Sequence, residues 1–386
     1  MDNPGVVGLV APRYAPAIGG VERHVEELAH GLLRRGIPVE VITTDPTGRL
    51  APEETVDGVP VRRFRTVAND GVFFLSPGLG RWLLANAGRY ALIHGHSYHT
   101  PLSLAAAIAA RRLRVPFVLT PHYHGTGHTR FRAALHGPYR ILGARVVHAA
   151  RRVICVSTSE QALIERDFGP ATPTTVIHNG VDVGQLLAVP RQADGPGTLV
   201  LSVGRLESYK RLDLLASSVP FLPPEARVVV VGDGPARDQL EELVRTLGVE
   251  DRMTFTGTLT HDQLLARFRS ADAFVSLSTA EAFGLTLLEG SVAGAGVVAT
   301  DIPAHREVAS LLPAGAIRLI PIGSEPADVA TAIDAALVAR RELDATGGGD
   351  PATWAVPSWD GMAGRVLDVY RAVAPRLAST GDPASA

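Results

Sequence analysis

Lysine is almost missing from this chain. Lys210 is the single lysine among 37 lysine and arginine residues, within a total of 386 residues. An ammonium is a compact, rotatable point charge, whereas a guanidinium is a planar fork that suits a carboxylate. A lysine kept in an arginine-rich chain therefore suits a phosphate oxygen or an amine chemistry, and retention by chance is the alternative.

Cysteine, net charge and long apolar runs are scarce as well. The one cysteine, Cys155, lies in an apolar run, which excludes an intrachain disulfide and predicts a reducing, cytoplasmic location. The formal net charge of −2 predicts no nucleic-acid partner. The sequence has neither an apolar stretch of transmembrane length nor a basic signal-peptide segment, so we expect a soluble protein.

Acidic residues are absent between Asp70 and Glu160, an interval that holds 11 arginines and 8 of the 13 histidines. A stretch of this length whose charged side chains are all positive predicts a surface or a cleft wall that faces an anion. Region 71–159 is therefore a candidate for peripheral contact with an anionic membrane or for binding an anionic acceptor. Solvated helix faces that use arginine are the alternative.

Short apolar runs alternate with amphipathic segments of helical length. The alternation starts with a strand at Gly5–Ala11, includes a helix at Thr129–Ala150, and predicts parallel sheets covered by helices on both faces. It lapses at Gln185–Gly197, which predicts an interdomain linker, and resumes until a last helix at Trp359–Val373. We therefore predict an α/β protein of two Rossmann-like, doubly wound domains facing a cleft, with the ligand at the carboxyl ends of the strands.

One segment combines two carboxylates with a helix start. Glu281 follows a predicted strand, and a helix is predicted from Gly284. The backbone N–H groups of Phe283, Gly284 and Leu285, at the start of this helix, form a natural seat for phosphate. Glu289 lies about one and a half turns into this helix, and its carboxylate can accept hydrogen bonds from both hydroxyls of a ribose. The alternative is that both glutamates are ordinary helix residues.

Two cations, Arg205 and Lys210, are predicted at the same edge of the second domain. Such cations can stabilise a leaving group whose negative charge grows in the transition state. Paired carboxylates alone also suit a glycoside hydrolase, but that chemistry needs no cationic clamp for a departing diphosphate. The combination favours transfer from a donor linked to a diphosphate.

The first domain offers matching groups. The turn Gly19-Gly20 begins a helix and lets the backbone approach a ligand closely, although an ordinary turn is the alternative. His96 and His122 follow later strands. A histidine that binds or orients the acceptor would lie at such strand ends. Asn179 closes the domain in a turn that can face the cleft.

Zinc is the competing interpretation of the histidines, because His94, His96, His122 and His124 could all supply ring nitrogens. No cysteine or carboxylate supports this cluster and no metalloprotease motif occurs, so we predict no metal site. The sequence also lacks Gly-x-Gly-x-x-Gly after the first strand and a Walker A motif. Their absence argues against a nicotinamide dehydrogenase and a nucleoside triphosphatase.

These segments together resemble family 4 of the retaining glycosyltransferases, which have the GT-B fold. The matching segments occur in the family's order over nearly the whole chain: Pro16–Glu22, His94–His96, Thr120–His122, Asn179–Asp182, Val203–Lys210, Gly232–Pro235 and Thr256–Gly257. The most specific match is the E-x7-E spacing from Glu281 to Glu289. The resemblance implies an N-terminal domain over 1–184, a nucleotide-sugar-binding domain over 198–357, and a C-terminal helix, 359–386, that crosses back to the first domain.

The resemblance also implies roles for the second-domain residues. Arg205 and Lys210 would hold the donor diphosphate, and Glu281 would contact the donor sugar. Residues 283–285 would offer backbone contacts to sugar and phosphate, Glu289 would bind ribose, and the segment from Gly257 to Leu259 would pass near the base.

On the acceptor side, the resemblance places Gly20 near the phosphate or the acceptor and gives His122 a catalytic position near the reacting sugar. Family members transfer with retention and need no metal or other cofactor; the partners are a small-molecule donor, with UDP-sugar favoured and GDP-sugar possible, and an acceptor hydroxyl. Ala282 stands where the family usually has glycine, which leaves the donor sugar open.

The acceptor classes that we expect are a cyclitol or aminoglycoside-type natural product and a cell-surface glycan, in a GC-rich bacterium. Two other enzymes remain as alternatives. One is a pyridoxal-phosphate phosphorylase with the same architecture, in which Lys210 would form the Schiff base. The other is a nucleotide-sugar epimerase on the same fold.

Overall fold

The computed structural model describes residues 5–67, 74–125, 142–170, 172–192 and 197–377. Contacts between Cα atoms divide the chain into two compact units. The first unit is Met1–Gly180 with Trp359–Ala386, and the second unit is Val181–Ser358. Among the described residues, no helix has both the length and the apolar content needed to cross a bilayer.

The first unit is built on a sheet of eight strands among its described residues. Its strands are β1 (Val6–Val10), β2 (Val39–Asp45), β3 (Glu53–Val56), β4 (Val59–Arg65), β5 (Tyr90–His96), β6 (Phe117–Thr120), β7 (Arg152–Cys155) and β8 (Thr174–Val176). Its helices are α1 (Gly20–Arg34), α2 (Pro77–Asn86), α3 (Pro101–Leu113), α4 (142–149), α5 (Thr158–Phe168) and, from the end of the chain, α13 (Trp359–Val373).

The first sheet has the strand order β3-β4-β2-β1-β5-β6-β7-β8. Every neighbouring pair is parallel except β3 and β4, which form an antiparallel hairpin at one edge. The order reverses between β1 and β5, so the loops that follow these two strands diverge at the carboxyl edge. A ligand site is expected at such a switch point.

The last helix belongs to the first unit and packs against α1. A Cβ on Gly31 of α1 would collide with Ala363 of α13, which shows how closely the two helices approach. Arg35 donates to Asp360 at 2.7 Å on the surface, and the buried hydroxyl of Tyr370 hydrogen-bonds His94 at 2.6 Å. The end of the chain is therefore joined to the first sheet by packing and by a buried polar contact.

The second unit carries a parallel sheet of six strands among its described residues, in the order β11-β10-β9-β12-β13-β14. Its strands are β9 (Leu199–Val203), β10 (Arg227–Val231), β11 (Met253–Gly257), β12 (Ala273–Ser276), β13 (Gly296–Thr300) and β14 (Ile317–Ile320). Its helices are α6 (Val183–Ala188), α7 (Leu212–Ser218), α8 (Arg237–Leu247), α9 (His261–Ser270), α10 (Leu285–Ala293), α11 (Pro303–Ser310) and α12 (Pro326–Ala345). The order reverses between β9 and β12, which is the doubly wound pattern predicted from the alternation.

Several elements differ from the prediction. The hairpin β3–β4 and the helices α2 and α11 were not predicted. Part of the predicted linker Gln185–Gly197 is helical, because Asp182 caps α6 by accepting the N–H of Gln185. The predicted helix Thr129–Ala150 is described only over 142–149, and the rest of it lies outside the described residues.

Glycines allow the loops after β9 and β10 to pass each other. A Cβ on Gly232 would collide with the carbonyl oxygen of Gly204, and a Cβ on Gly234 would collide with that of Leu206. Gly232 also has a φ of 129°, in the region that favours glycine. The N–H of Leu206 donates to the carbonyl of Asp233 at 3.0 Å across this crossing. The backbone position of the loop that carries the two cations therefore depends on these glycines.

We expect Gly232→Ala to lower the free energy of unfolding by about 2–4 kcal/mol, because the methyl group must displace a backbone carbonyl and the φ is unfavourable. Urea unfolding followed by circular dichroism measures this loss. Gly323→Ala is the control, since a Cβ there meets nothing within 4 Å. Equal unfolding midpoints for the two variants would contradict the role assigned to the crossing.

Candidate active site

The second unit brings a lysine and a glutamate together at its topological switch point. Lys210 lies on the loop after β9, and Glu281 lies on the loop after β12, the strand beside β9. The Nζ of Lys210 is 2.6 Å from Oε1 of Glu281, and the two side chains are only 16% and 18% exposed. The loops are also joined by backbone, because the N–H of Thr279 donates to the carbonyl of Tyr209 at 2.8 Å.

Each member of this pair keeps the other ionised. Burial lowers the pKa of Lys210, but the Glu281 carboxylate, together with Tyr209 and Glu207, raises that pKa above its ordinary value. Burial raises the pKa of Glu281, whereas Lys210 and then His305 hold it below its ordinary value. Both groups are therefore charged at neutral pH, and the ammonium still has hydrogens left to donate.

Arg205 is the second cation that the sequence placed here. Its Nε lies 2.9 Å from Oε1 of Glu207, and 43% of its side chain is exposed. It therefore differs from Lys210, which is mostly buried and paired across the switch point. The described geometry puts both cations on one short loop, between β9 and α7.

Residues Phe283, Gly284 and Leu285 stand at the start of α10. Gly284 has a φ of 105°, and Leu285 is the first helical residue. The first N–H groups of a helix have no partner within the helix, so this end can bind an anion. His305 of α11 packs beside Gly284 and donates from Nδ1 to the carbonyl of Thr300 at 2.8 Å.

Three further predicted residues lie elsewhere in the second unit. Glu289 is half-buried in the middle of α10. Gly257 ends β11 with a φ of 72°, and its carbonyl accepts the N–H of Gly232 at 2.9 Å. Leu259 is half-buried in the loop before α9. All of the predicted second-unit residues except Glu289 thus lie at or just beyond the carboxyl edge of the sheet.

The first unit gathers three of its predicted residues around a fourth that sequence reasoning missed. His96 ends β5, His122 follows β6, and the ring of His24 on α1 lies 5.3 Å and 4.9 Å from theirs, centroid to centroid. Nδ1 of His24 donates to Oδ1 of Asn179 at 2.8 Å. A signal for His24 was present, because it lies on the buried face of the helix that begins at Gly20.

These histidines are neutral. Burial lowers the pKa of His24 to about 4, although its contact with Asn179 acts in the opposite direction. Burial, followed by repulsion from the neighbouring histidines, also holds the pKa values of His96 and His122 well below their ordinary range. A neutral imidazole keeps a lone pair on one ring nitrogen. That nitrogen can accept a hydrogen bond from the hydroxyl of an acceptor molecule.

The other histidines of the zinc interpretation take different places. Both ring nitrogens of His94 are used, by the hydroxyls of Tyr370 at 2.6 Å and Thr120 at 2.8 Å. His124 stacks on His99, with ring centroids 5.0 Å apart. The set of four proposed from sequence is therefore not the set that the structure brings together.

A buried glutamate holds the loop of His122. His122 has a φ of 48°, and the next N–H, from Tyr123, donates to the carboxylate of Glu160. The same carboxylate accepts the N–H of Val156 at 2.6 Å, beyond the end of β7. Glu160 is fully buried, so it acts as a positioning residue, and nothing in the sequence singled it out.

The Gly-Gly turn has two different halves. A Cβ on Gly19 would collide with the carboxylate of Glu22, which is held by Arg13 at 2.7 Å. A Cβ on Gly20 would meet nothing within 4 Å, so the space beside this glycine is open. Gly19 therefore makes room for the carboxylate of Glu22, whereas Gly20 leaves room for a ligand at the start of α1.

Comparison with known proteins agrees with this geometry. The model of Glycosyltransferase Family 4 matches residues 18–185, and the model of Glycosyl transferases group 1 matches residues 189–344. The glycogen synthase of Mycobacterium tuberculosis is 31% identical over 76% of this chain and 77% of its own length. The D-inositol 3-phosphate glycosyltransferase of Streptomyces bingchenggensis is 29% identical over 93% of this chain and 87% of its own.

The fold is found in solved structures as well. HepE of Anabaena, in complex with UDP-glucose, matches with a TM-score of 0.70 and 20% identity, over 95% of this chain and 100% of that chain. Two family models along the chain, a relative with 31% identity and this shared fold lead to one conclusion. The chain belongs to the family 4 glycosyltransferases and is a hexosyltransferase of the GT-B fold.

Proposed function

We propose that this glycosyltransferase moves a hexose from a UDP-sugar to an acceptor hydroxyl with retention of configuration. The observation that carries the proposal is the Lys210–Glu281 ion pair at the switch point of the second sheet. It puts a cation for a leaving diphosphate within one hydrogen bond of an anion for sugar hydroxyls, and the anion lies on the loop that leads to the start of α10.

The leaving group is held by cations and by backbone. Lys210 and the more exposed Arg205 meet the diphosphate, whose charge increases as the sugar–phosphate bond breaks. The N–H groups at Phe283, Gly284 and Leu285 add uncharged donors at the helix start. Because these groups supply the positive charge, the transfer that we propose needs no metal ion and no other cofactor.

The donor sugar and nucleoside are held by other groups. The ionised carboxylate of Glu281 accepts hydrogen bonds from sugar hydroxyls. Glu289 binds the ribose diol, and the segment from Gly257 to Leu259 passes the base. The UDP-glucose complex of HepE, together with the shared fold, supports UDP as the donor nucleotide.

Retention follows if the acceptor attacks from the face that the diphosphate leaves. The bond from the anomeric carbon to the phosphate oxygen breaks, and the bond to the acceptor oxygen forms on the same face. The acceptor proton passes to the departing phosphate oxygen, so the balance is complete without an enzyme nucleophile. His122 and His96 are neutral at this stage and can orient the acceptor by hydrogen bonds.

The alternative enzymes fit less well. A Schiff base requires a neutral amine, whereas Glu281 raises the pKa of Lys210 and keeps it protonated. A pyridoxal-phosphate phosphorylase is therefore disfavoured, and a protein without a visible cofactor band would exclude it. An epimerase would change the donor sugar in the absence of any acceptor, which product analysis distinguishes.

The acceptor that we propose is a small polyhydroxylated molecule of the cyclitol class, free or phosphorylated, used in natural-product or cell-surface glycan synthesis. The name of the Streptomyces relative supports a cyclitol phosphate. Neutral histidines suit the hydroxyl that reacts, and the arginine-rich region 71–159 suits an anionic group or an anionic membrane surface. A cytoplasmic location is part of the same proposal.

We expect transfer from UDP-hexoses, with weaker transfer from GDP-hexoses, to cyclitol acceptors. Mass spectrometry of a donor and acceptor panel detects the product, and proton NMR gives the anomeric configuration. An axial donor linkage should yield an axial product linkage. Inversion, or conversion of the donor without acceptor, would overturn the proposal.

We expect Glu281→Gln to lower kcat by about 100-fold or more while UDP binds as tightly as before or more tightly. The reason is that the amide no longer neutralises Lys210, which leaves more positive charge for the diphosphate. Calorimetry with UDP and steady-state transfer measure the two effects. Glu242→Gln, on the exposed face of α8, is the control. Weaker UDP binding with an unchanged kcat would assign Glu281 to the nucleotide instead.

We expect Lys210→Ala to lower kcat by about 100- to 1,000-fold, because the charge that Lys210 meets is greatest in the transition state. Lys210→Arg should recover only part of the rate, since a planar fork replaces a point charge at a 2.6 Å contact. Arg205 should act on the same leaving group as Lys210. The increase in activation free energy in the double variant of Lys210→Ala and Arg205→Ala should therefore be smaller than the sum of the increases in the two single variants.

The measurement is steady-state transfer by these variants, with Arg245→Ala as the control for an exposed cation on α8. Lys210→Ala also leaves a mostly buried carboxylate unpaired, so its melting temperature should fall, and rates are compared well below that temperature. If folded Lys210→Ala kept the wild-type kcat, the catalytic role of Lys210 would be wrong and its role would be purely structural.

A further inference from the structure

Three histidines of the first unit have lone pairs that no described residue uses. One ring nitrogen each from His24, His96 and His122 lies within 4.8 Å of the other two. Nε2 of His24, Nε2 of His122 and both ring nitrogens of His96 are buried and lack a hydrogen-bond partner within the described parts of the chain. Buried polar atoms are almost always paired, so three such rings facing one another indicate a missing partner.

The hydrogen bond of His24 fixes which nitrogen is available. Nδ1 of His24 carries the proton that it donates to Oδ1 of Asn179 at 2.8 Å, which leaves Nε2 as a lone pair. A ring that donates one N–H to an oxygen and offers the other nitrogen is the usual arrangement of a histidine that binds a metal. His24 and His96 are fully buried, and burial keeps all three rings neutral, as metal ligands must be.

Hydrogen bonding among the histidines does not account for the cluster. His94, which lies next to His96, shows how a buried histidine of this unit is satisfied, because hydroxyls meet both of its nitrogens. The rings of His96 and His122 instead stack at 26° with centroids 5.9 Å apart. A positive partner that accepts several lone pairs at once fits this arrangement better than a single shared proton.

We propose that His24, His96 and His122 bind a divalent transition-metal ion of the zinc class through three imidazole nitrogens. Imidazole ligands select zinc and its neighbours over magnesium and calcium, which prefer oxygen. Three protein ligands leave one tetrahedral position for water or an oxygen of a small molecule. The site lies within the first unit and takes no ligand from the pair that holds the donor diphosphate. Metal binding at this site therefore does not require the proposed transfer to occur, and the transfer itself needs no metal.

Because His122 is both a ligand of this site and a residue of the acceptor side, occupancy by a metal ion has a consequence. A bound ion takes the lone pair that would orient an acceptor hydroxyl. We expect micromolar zinc to inhibit transfer and a chelator to restore it. This effect depends on the proposed function, whereas binding of the metal does not, so the two can fail separately.

The test is titration of the chelator-treated, full-length protein, prepared without a polyhistidine tag, with cobalt(II). We expect one equivalent to give the visible ligand-field absorption of a low-coordinate site, and one equivalent of zinc to abolish it. His24→Gln and His96→Gln should each weaken cobalt binding by about 100-fold. His30→Gln, an exposed histidine of the same helix, should bind as the wild type does.

Asn179 gives an independent check if a histidine variant fails to fold, as judged by circular dichroism. Asn179→Asp places a carboxylate on Nδ1 of His24, which makes the ring more basic and should tighten cobalt binding by about 10-fold. Asn179→Leu removes the acceptor and should weaken binding by a similar factor. The proposal is overturned if no stoichiometric band forms, or if the folded histidine and Asn179 variants all titrate as the wild type does.

Discussion

The ion pair of Lys210 and Glu281 is the interaction on which the site of the second unit depends. The two loops that carry it leave neighbouring strands at the point where the sheet order reverses. Each side chain is mostly buried, so each charge is stabilised by the other. Lys210 meets Glu281 at 2.6 Å with a compact point charge, and the planar fork of an arginine would not reproduce that contact.

Local sequence predicted the sheets well, because alternating apolar runs and turn residues are properties of short segments. Helix Trp359–Val373 has the bounds that were predicted, and the strand predicted at Gly5–Ala11 is observed at Val6–Val10. The hairpin β3–β4 was missed although its turn, Asp57-Gly58, is a strong hairpin signal and both residues have positive φ. Its first strand is mostly exposed and carries little apolar pattern, so hydrophobic alternation alone could not detect it.

The residues of the site could be chosen from the sequence by their type and position, but the contacts between them could not be predicted. Glycine at a helix start and polar residues after strands are visible in the sequence, so Gly284, Lys210 and Glu281 could be chosen. Their pairing joins loops that are 71 positions apart, and the bond from His24 to Asn179 spans 155 positions. Only the tertiary fold brings residues so far apart in sequence into contact. Glu160 shows the same limit, since its role comes from two backbone N–H groups that tertiary structure brings to its carboxylate.

The two units use the carboxyl edges of their sheets in opposite electrostatic ways. In the second unit, buried charges persist because a lysine and a glutamate neutralise each other, which leaves a polarised pair ready for a charged ligand. In the first unit, burial removes the charge from His24, His96 and His122, so the groups there are lone pairs and not cations. A diphosphate is recognised by charge, whereas a hydroxyl or a metal ion is recognised by lone pairs. In the transfer that we propose, this difference in burial and pairing separates donor chemistry from acceptor chemistry.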